Sequence, residues 1–257
     1  MTSTIPTPVP TPVLLVTGGS RGIGASVALL AAQQGYAVCL SYRSRGDLAD
    51  ALVAQITADG GRALAVQADV AIEADVVRLF ERVDAELGRL TALVNNAGAI
   101  EQQGRVVDMD AARLRRVFDT NVVGSFICAR EAVRRMSTAR GGAGGAIVNL
   151  SSRAAGLGSP GEFVDYAASK GAIDTFTIGL AREVAMEGIR VNAVAPGLIE
   201  TEIHASSGEP GRVDRLKAGV PMQRGGHPDE VARAVLWLLS AEASYITGTV
   251  VDVSGGR

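Results

Sequence analysis

The feature that most constrains this chain is the run Thr17-Gly-Gly-Ser-Arg-Gly-Ile-Gly24, set between the apolar run Val13-Leu-Leu-Val16 and a stretch at 25–34 rich in helix formers. Strand, glycine loop and helix in that order are what a dinucleotide-binding α/β unit requires. Gly18 allows a tight turn, Gly22 lets backbone approach a pyrophosphate, and Gly24 lets helix and strand pack closely. Ser20, Arg21 and Ile23 belong to the same turn. A pyrophosphate there would meet the unpaired N–H groups and positive dipole of a helix N-terminus. The spacing is G-x-x-x-G-x-G, one residue longer than the usual Rossmann pattern.

The rest of the chain repeats the alternation. Strand-like runs fall at 13–17, 36–42, 62–67, 90–94, 145–151, 189–195 and 249–253, and helix-period segments near 22–34, 46–59, 73–87, 110–137, 164–187 and 228–240. Such βα alternation predicts the α/β class: one Rossmann-type, doubly wound parallel sheet of seven strands with helices on both faces. Strands apolar throughout, such as Ala146-Ile-Val148, fit burial on both faces. One domain over 13–257 is expected, preceded by a Pro/Thr-rich tail at 1–12 that offers little to bury and lacks the basic and apolar regions of a signal peptide. The Gly-rich stretch 140–145 reads as a loop that tolerates insertion.

Composition excludes several partners. A net charge of −2 and a pI near 5.8 argue against nucleic acid or an anionic membrane surface. No apolar run approaches the ~20 residues of a membrane span. Cys39 and Cys128, in apolar contexts, read as buried thiols of a cytoplasmic protein. His204 and His227 lack metal-ligand spacing, so no catalytic metal is expected.

Tyr166 and Lys170 stand four residues apart in Tyr-Ala-Ala-Ser-Lys, hence on one helix face. A nearby ammonium favours phenolate, which would lower the tyrosine pKa and suit it to give or take a proton in carbonyl–alcohol interconversion. Ser152 ends the fifth strand at the carboxyl edge of the sheet, where its hydroxyl can stabilise charge on a carbonyl oxygen; Ser151 is the competing candidate. The second strand ends Ser41-Tyr42-Arg43-Ser44-Arg45, with no Asp or Glu before Asp47 to hold a ribose 2′-OH. Arg43, with Arg21 from the glycine loop, would instead favour a 2′-phosphate, so NADP(H) is preferred and NAD(H) is possible.

Taken together, Thr17-Gly-x-x-x-Gly-x-Gly24, Asn95-Asn-Ala-Gly98, Ser152 with Tyr166-x-x-x-Lys170, and Pro196-Gly197 make the chain resemble the short-chain dehydrogenases/reductases from about residue 13 to its end. The likeness is strongest to glucose-dehydrogenase-like and ketoacyl-reductase-like members. The resemblance implies a catalytic set of Asn121, Ser152, Tyr166 and Lys170, in which the Asn121 main-chain carbonyl holds a water that links Lys170 to solvent. A hydrogen bond that bends the helix is the alternative role for Asn121. It further implies that Asp69 and its neighbour Val70 contact adenine, though Asp69 could equally cap a helix. Asn96, Ala97 and Gly98 would lie against the cofactor, Lys170 would bond the nicotinamide ribose, and Ile199 and Thr201 after Pro196-Gly197 would hold the carboxamide. The polar segment 202–222 would be a flap over the substrate.

Three activities stay open on these residues. One is reduction of an acyl-thioester ketone, for which Arg115, Arg116, Arg134 and Arg135 could form a patch for an acidic carrier. Another is oxidation of a sugar or polyol, and the third is a non-catalytic NADP(H)-binding regulator. Apolar residues on more than one face of the helices at 110–137 and 164–187, including Val117, Phe118, Val122, Phe126, Phe176 and Leu180, imply another subunit. The resemblance implies that these helices pack on their symmetry mates and that the region 251–256 makes a second two-fold contact, hence a homotetramer or, failing that, a dimer.

Overall fold

Each uniformly apolar strand divides its side chains between two cores. In β1 (Val13–Val16), Val13 and Leu15 enter one core while Leu14 and Val16 enter the other; in β2 (Ala37–Tyr42), Ala37 and Cys39 separate from Val38 and Leu40 in the same way. The computed structural model describes residues 11–257. The remaining strands are β3 (Arg62–Gln67), β4 (Ala92–Asn95), β5 (Gly145–Leu150), β6 (Ile189–Pro196) and β7 (Val250–Val253). All pair in parallel in the order β3-β2-β1-β4-β5-β6-β7. The chain reverses direction across the sheet between β1 and β4, the switch point at which such sheets open a crevice beyond their carboxyl ends.

The helices are α1 (Gly22–Gln33), α2 (Gly46–Ala58), α3 (Glu73–Glu86), α4 (Ala111–Phe118), α5 (Gly124–Met136), α6 (Ala154–Leu157), α7 (Val164–Val184), α8 (Ile203–Ser206), α9 (Arg212–Leu216) and α10 (Pro228–Leu239). Residues of α1, α2 and α10 fill one core, and residues of α3, α5 and α7 the other. The tail expected at 1–12 lies outside the described residues except for Thr11 and Pro12, and the Pro12 carbonyl already accepts from Ala37 N–H at 2.9 Å.

The helix expected at 110–137 runs through α4, a five-residue π-helical stretch, Asp119–Val123, and α5. The Asn121 side chain is drawn into bonds with other elements there, and inserting one residue into the ladder lets it reach them. In the loop expected at 140–145 two glycines are sterically required. A side chain at Gly144 would come within 2.5 Å of the Gly188 carbonyl and one at Gly145 within 2.6 Å of the Thr91 carbonyl. The segment 202–222 carries α8 and α9.

Arg190 on β6 reaches the carboxyl end of α10. Its guanidinium donates to the carbonyls of Leu238 (2.7 Å), Leu239 (3.1 Å) and Ser240 (3.0 Å), which have no partners within the helix. Arg190→Met keeps the apolar stem and removes these donors. It should destabilise the protein by about 2–3 kcal/mol in urea denaturation, the scale of charged hydrogen bonds to buried acceptors; an unchanged midpoint would refute this role.

Candidate active site

Beyond the carboxyl ends of the strands lies a cleft of about 820 Å³. One end is built by the glycine loop. The Asn96 amide donates to the carbonyls of Thr17 (2.9 Å) and Gly18 (2.8 Å), while Thr17 Oγ1 accepts from the N–H groups of Asn96 and Ala97, both at 3.0 Å. Only glycine fits at residue 24, since a Cβ would lie 2.5 Å from the Asn96 amide nitrogen. Gly22 adopts φ +55°, in the left-handed region. The first turn of α1 has neither a side-chain cap nor an acidic residue, so it presents N–H groups to the cleft.

The cleft runs along the end of β2, past Tyr42, Arg43, Ser44 and Arg45, and past Asp69 and Val70. The three guanidiniums near this end differ. Arg45 binds Asp47 through two hydrogen bonds, and Arg21 pairs with Glu202 of the flap segment at 3.3 Å. Arg21 is thus engaged across the cleft, which corrects the expectation that it converges with Arg43. The Arg43 side chain has no hydrogen bond or ion pair among the described residues. Asp69 does not cap α3, whose N-cap is Ile72; its Oδ1 accepts from Ala71 N–H at 3.0 Å in a local turn that faces the cleft. On the opposite wall, Gly197 follows β6, Ile199 is buried, and the Thr201 methyl lies 3.4 Å from where a Cβ of Gly22 would be. An extended crevice with exposed helix N–H groups at one end and an unpaired cation beside it fits a phosphorylated dinucleotide.

At the other end Ser152, Tyr166 and Lys170 meet. The Ser152 hydroxyl lies beside the Tyr166 phenol and favours its ionised form. Ser151 points elsewhere: it is buried, its hydroxyl bonds the Lys170 carbonyl (3.4 Å), and it lies beside the Asp174 carboxylate. Lys170 Nζ donates to the Leu150 carbonyl at 2.7 Å and lies 5.5 Å from the Tyr166 ring centroid. Asn121 is buried beside them. Its amide donates to the Ala99 carbonyl (3.0 Å) and Ser169 Oγ (2.9 Å), its Oδ1 accepts from Ala99 N–H (2.7 Å), and its main-chain carbonyl accepts from the Ser125 hydroxyl (2.9 Å). Asn121 therefore both interrupts the helix and fixes the loop after β4.

The electrostatics reverse one expectation. Burial pushes the Tyr166 phenol above its ordinary value, and the Ser152 hydroxyl only partly offsets it. Burial acts on Lys170 too, bringing it down to about 8, with the Asp174 carboxylate pulling the other way. The phenol is thus a protonated donor at neutral pH.

Comparison with known proteins matches this geometry. A family model described as Enoyl-(Acyl carrier protein) reductase matches residues 18–257. The oxidoreductase YgfF of Escherichia coli K12 is 57% identical over 245 residues, covering 95% of this chain and 99% of its own. The 3-oxoacyl-[acyl-carrier-protein] reductase FabG of Staphylococcus aureus is 38% identical over 242 residues, covering 94% and 96%. Among solved structures, a short chain dehydrogenase from Burkholderia cenocepacia in complex with NADP superposes with a TM-score of 0.88 at 34% identity, over 96% of this chain and 97% of that one.

The chain belongs to the short-chain dehydrogenase/reductase family. It is an oxidoreductase of that family, and a second relative of known structure, a blue fluorescent protein from a metagenomic library, is in complex with NADPH (TM-score 0.87, 34% identity, 95% and 97% coverage).

Several residues that shape this dehydrogenase/reductase site escaped sequence reasoning. Asp165, beside Tyr166, is almost wholly buried and held by Arg113 through two bonds of 2.7 and 3.2 Å; its Oδ1 also accepts from Tyr166 N–H at 2.9 Å. This pair anchors the first turn of α7. Asn149 Nδ2 donates to Thr177 Oγ1 (2.9 Å) and its Oδ1 accepts from Asn95 (2.9 Å), tying β4 and β5 to α7. Such pairs have no spacing signal, because the partners are 28 to 54 residues apart. The flap segment is docked rather than free. Arg212 is buried, stacks over Phe163 at 5.0 Å and pairs with Glu162 and with Glu209 (3.1 Å), while Arg215 pairs with the same two carboxylates.

Proposed function

We propose that this chain is an NADP(H)-dependent oxidoreductase that interconverts a carbonyl group and its alcohol, with Tyr166 as general acid and base. The observation that carries the reading is the Ser152–Tyr166 hydroxyl pair beside Lys170, in one cleft with an uncapped glycine-loop helix terminus. The nicotinamide, when bound, supplies or accepts the hydride. Ser152 donates to the carbonyl oxygen and steadies the charge that grows there. Tyr166, held protonated by burial, passes its proton to that oxygen. Lys170, at about 8, exchanges its proton near neutral pH and restores the phenol. The Asn121 carbonyl, already bonded to Ser125 through one lone pair, has a second for a relay water. The experiment is an NADPH-oxidation screen over aldehydes, ketones, ketoacyl thioesters and sugars. Tyr166→Phe should abolish turnover and keep NADPH binding, and Ser152→Ala should lower kcat about 10²–10³-fold. A Tyr166→Phe variant keeping more than a few per cent of kcat, or Ser151→Ala proving the more damaging change, refutes these roles.

The residues that would hold the cofactor are Gly18, Ser20, Arg21, Gly22, Ile23 and Gly24 at the pyrophosphate, Asp69 and Val70 at adenine, Asn96, Ala97, Gly98 and Lys170 along the riboses, and Pro196, Gly197, Ile199 and Thr201 at the carboxamide. The unpaired Arg43 and the absence of a free acid at the end of β2 support NADP(H) over NAD(H), as do the NADP and NADPH named in the two related structures. Arg43→Asp should shift the kcat/KM ratio toward NADH. A wild-type enzyme that prefers NADH overturns the assignment.

On substrate, an acyl-carrier thioester draws support from the related ketoacyl reductases. Its docking patch is weakened because Arg116 is paired with Glu101, and Arg134 and Arg135 with the buried Glu131. The remaining organisation is proposed as a single domain over 13–257 in a reducing, cytoplasmic compartment, where Cys39 and Cys128 stay as buried free thiols. It assembles as a homotetramer. Exposed Leu114, Val123, Phe126 and Ile178, with Phe126 stacked on Phe176 at 3.7 Å, support a covering subunit on the α4, α5 and α7 face. Light scattering should give about four times the 26.5 kDa chain mass; a monomer at micromolar concentration refutes assembly.

A further inference from the structure

The cleft wall beyond Ser152 carries a guanidinium without a side-chain partner among the described residues. Around the docked flap stand Arg212, Arg215 and Arg257 with the carboxylates of Glu162 and Glu209. Both carboxylates are already shared by Arg212 and Arg215, and those two arginines hold Glu209 down to about 2. The third cation is Arg257. Its guanidinium has no hydrogen bond or ion pair among the described residues, yet it is partly buried, lines the cleft and is repelled by Arg212.

Its position is built. Arg153, the residue after Ser152, donates from Nε to the Arg257 carbonyl at 2.7 Å and pairs with Asp252 at 2.9 Å, so its own charge is matched. Arg257 N–H donates to the Ser254 carbonyl, and Ser254 Oγ donates to the Arg257 carbonyl at 3.2 Å. The main chain of Arg257 is therefore fixed one side chain away from Ser152. Its guanidinium lies in the field of Arg212 and Glu162 and lines the cleft, as do Leu157, Phe163 and Leu198.

We propose that the substrate carries a small oxyanion, a carboxylate or a phosphate, in addition to its carbonyl or alcohol group, and that Arg257 is the specificity residue that binds it. A planar guanidinium takes either oxyanion through two parallel hydrogen bonds, and pairing here would give the Arg257 guanidinium its acceptor. This rests on the reading of the site as a carbonyl–alcohol oxidoreductase.

The full chain with NADPH is tested on two matched pairs: acetoacetate against ethyl acetoacetate, and dihydroxyacetone phosphate against dihydroxyacetone. The readout is the kcat/KM ratio of the anionic to the neutral member within one preparation, so partial misfolding of a variant cancels. At least one pair should favour the anion, the favoured pair identifying carboxylate or phosphate. That ratio should fall about ten- to hundred-fold in Arg257→Gln, the range of one charged hydrogen-bond pair, and be largely kept in Arg257→Lys. A wild type that prefers the neutral member of both pairs, or an unchanged ratio in Arg257→Gln, overturns the proposal and leaves the oxidoreductase reading standing. If wild type oxidises NADPH with no carbonyl compound, the oxidoreductase reading fails. Calorimetric titration of acetoacetate and of dihydroxyacetone phosphate then decides the anion site alone: binding lost in Arg257→Gln supports it, and no binding to wild type overturns it.

Discussion

The clasp between Thr17 and Asn96 is the interaction on which the site depends. β1 and β4 are neighbours in the sheet but diverge beyond their carboxyl ends, because the chain winds away from this point in opposite directions. Something must hold the two diverging ends at a fixed separation. Thr17 Oγ1 takes two N–H groups of the turn after β4, and the Asn96 amide takes two carbonyls of the glycine loop. These four bonds satisfy backbone groups that the ladder has released, and they leave the N–H groups of the α1 terminus facing the cleft. Gly24 is the steric counterpart, since any side chain there would strike the Asn96 amide.

The reacting end is organised by a different economy of charge. Lys170 is buried with a main-chain carbonyl as its hydrogen-bond partner, so its ammonium is destabilised and its proton is easily given up. Tyr166 is shifted the other way and keeps its proton. Two groups whose ordinary pKa values nearly coincide are thereby separated by burial, one turn of α7 apart. The fully paired Arg113–Asp165 ion pair is the contrast: buried, bidentate and anchoring the turn that presents Tyr166.

The flap joins these two ends. Arg21 of the glycine loop pairs with Glu202, and the Glu162, Glu209, Arg212 and Arg215 cluster fastens α9 to the loop before α7. Exposed pairs of this kind contribute little one by one, but the buried Arg212 over Phe163 gives the cluster a fixed centre. The cofactor end and the substrate end are thus mechanically connected through a segment whose sequence looks merely polar.

The sequence by itself determined the element order, the parallel sheet and the identity of the residues that meet in the cleft. Apolar runs, glycine punctuation and the i,i+4 relation of Tyr166 and Lys170 are local properties, legible within a few turns of chain. Strand ends fell within two residues of their observed positions for the same reason, while α7 ends at Val184, three residues before the expected 187. Tertiary structure alone decided what depends on distant partners. It put a π-helical stretch into the long helix at Asn121, because Ala99 and Ser169 compete for that side chain. It directed Ser152 toward Tyr166 and Ser151 toward Asp174, drew Arg21 away to Glu202, and left Arg257 without a partner. It also set the direction of the Tyr166 and Lys170 shifts. Spacing reports which charges are near, whereas burial, the larger effect here, arises only when the whole chain has closed around them.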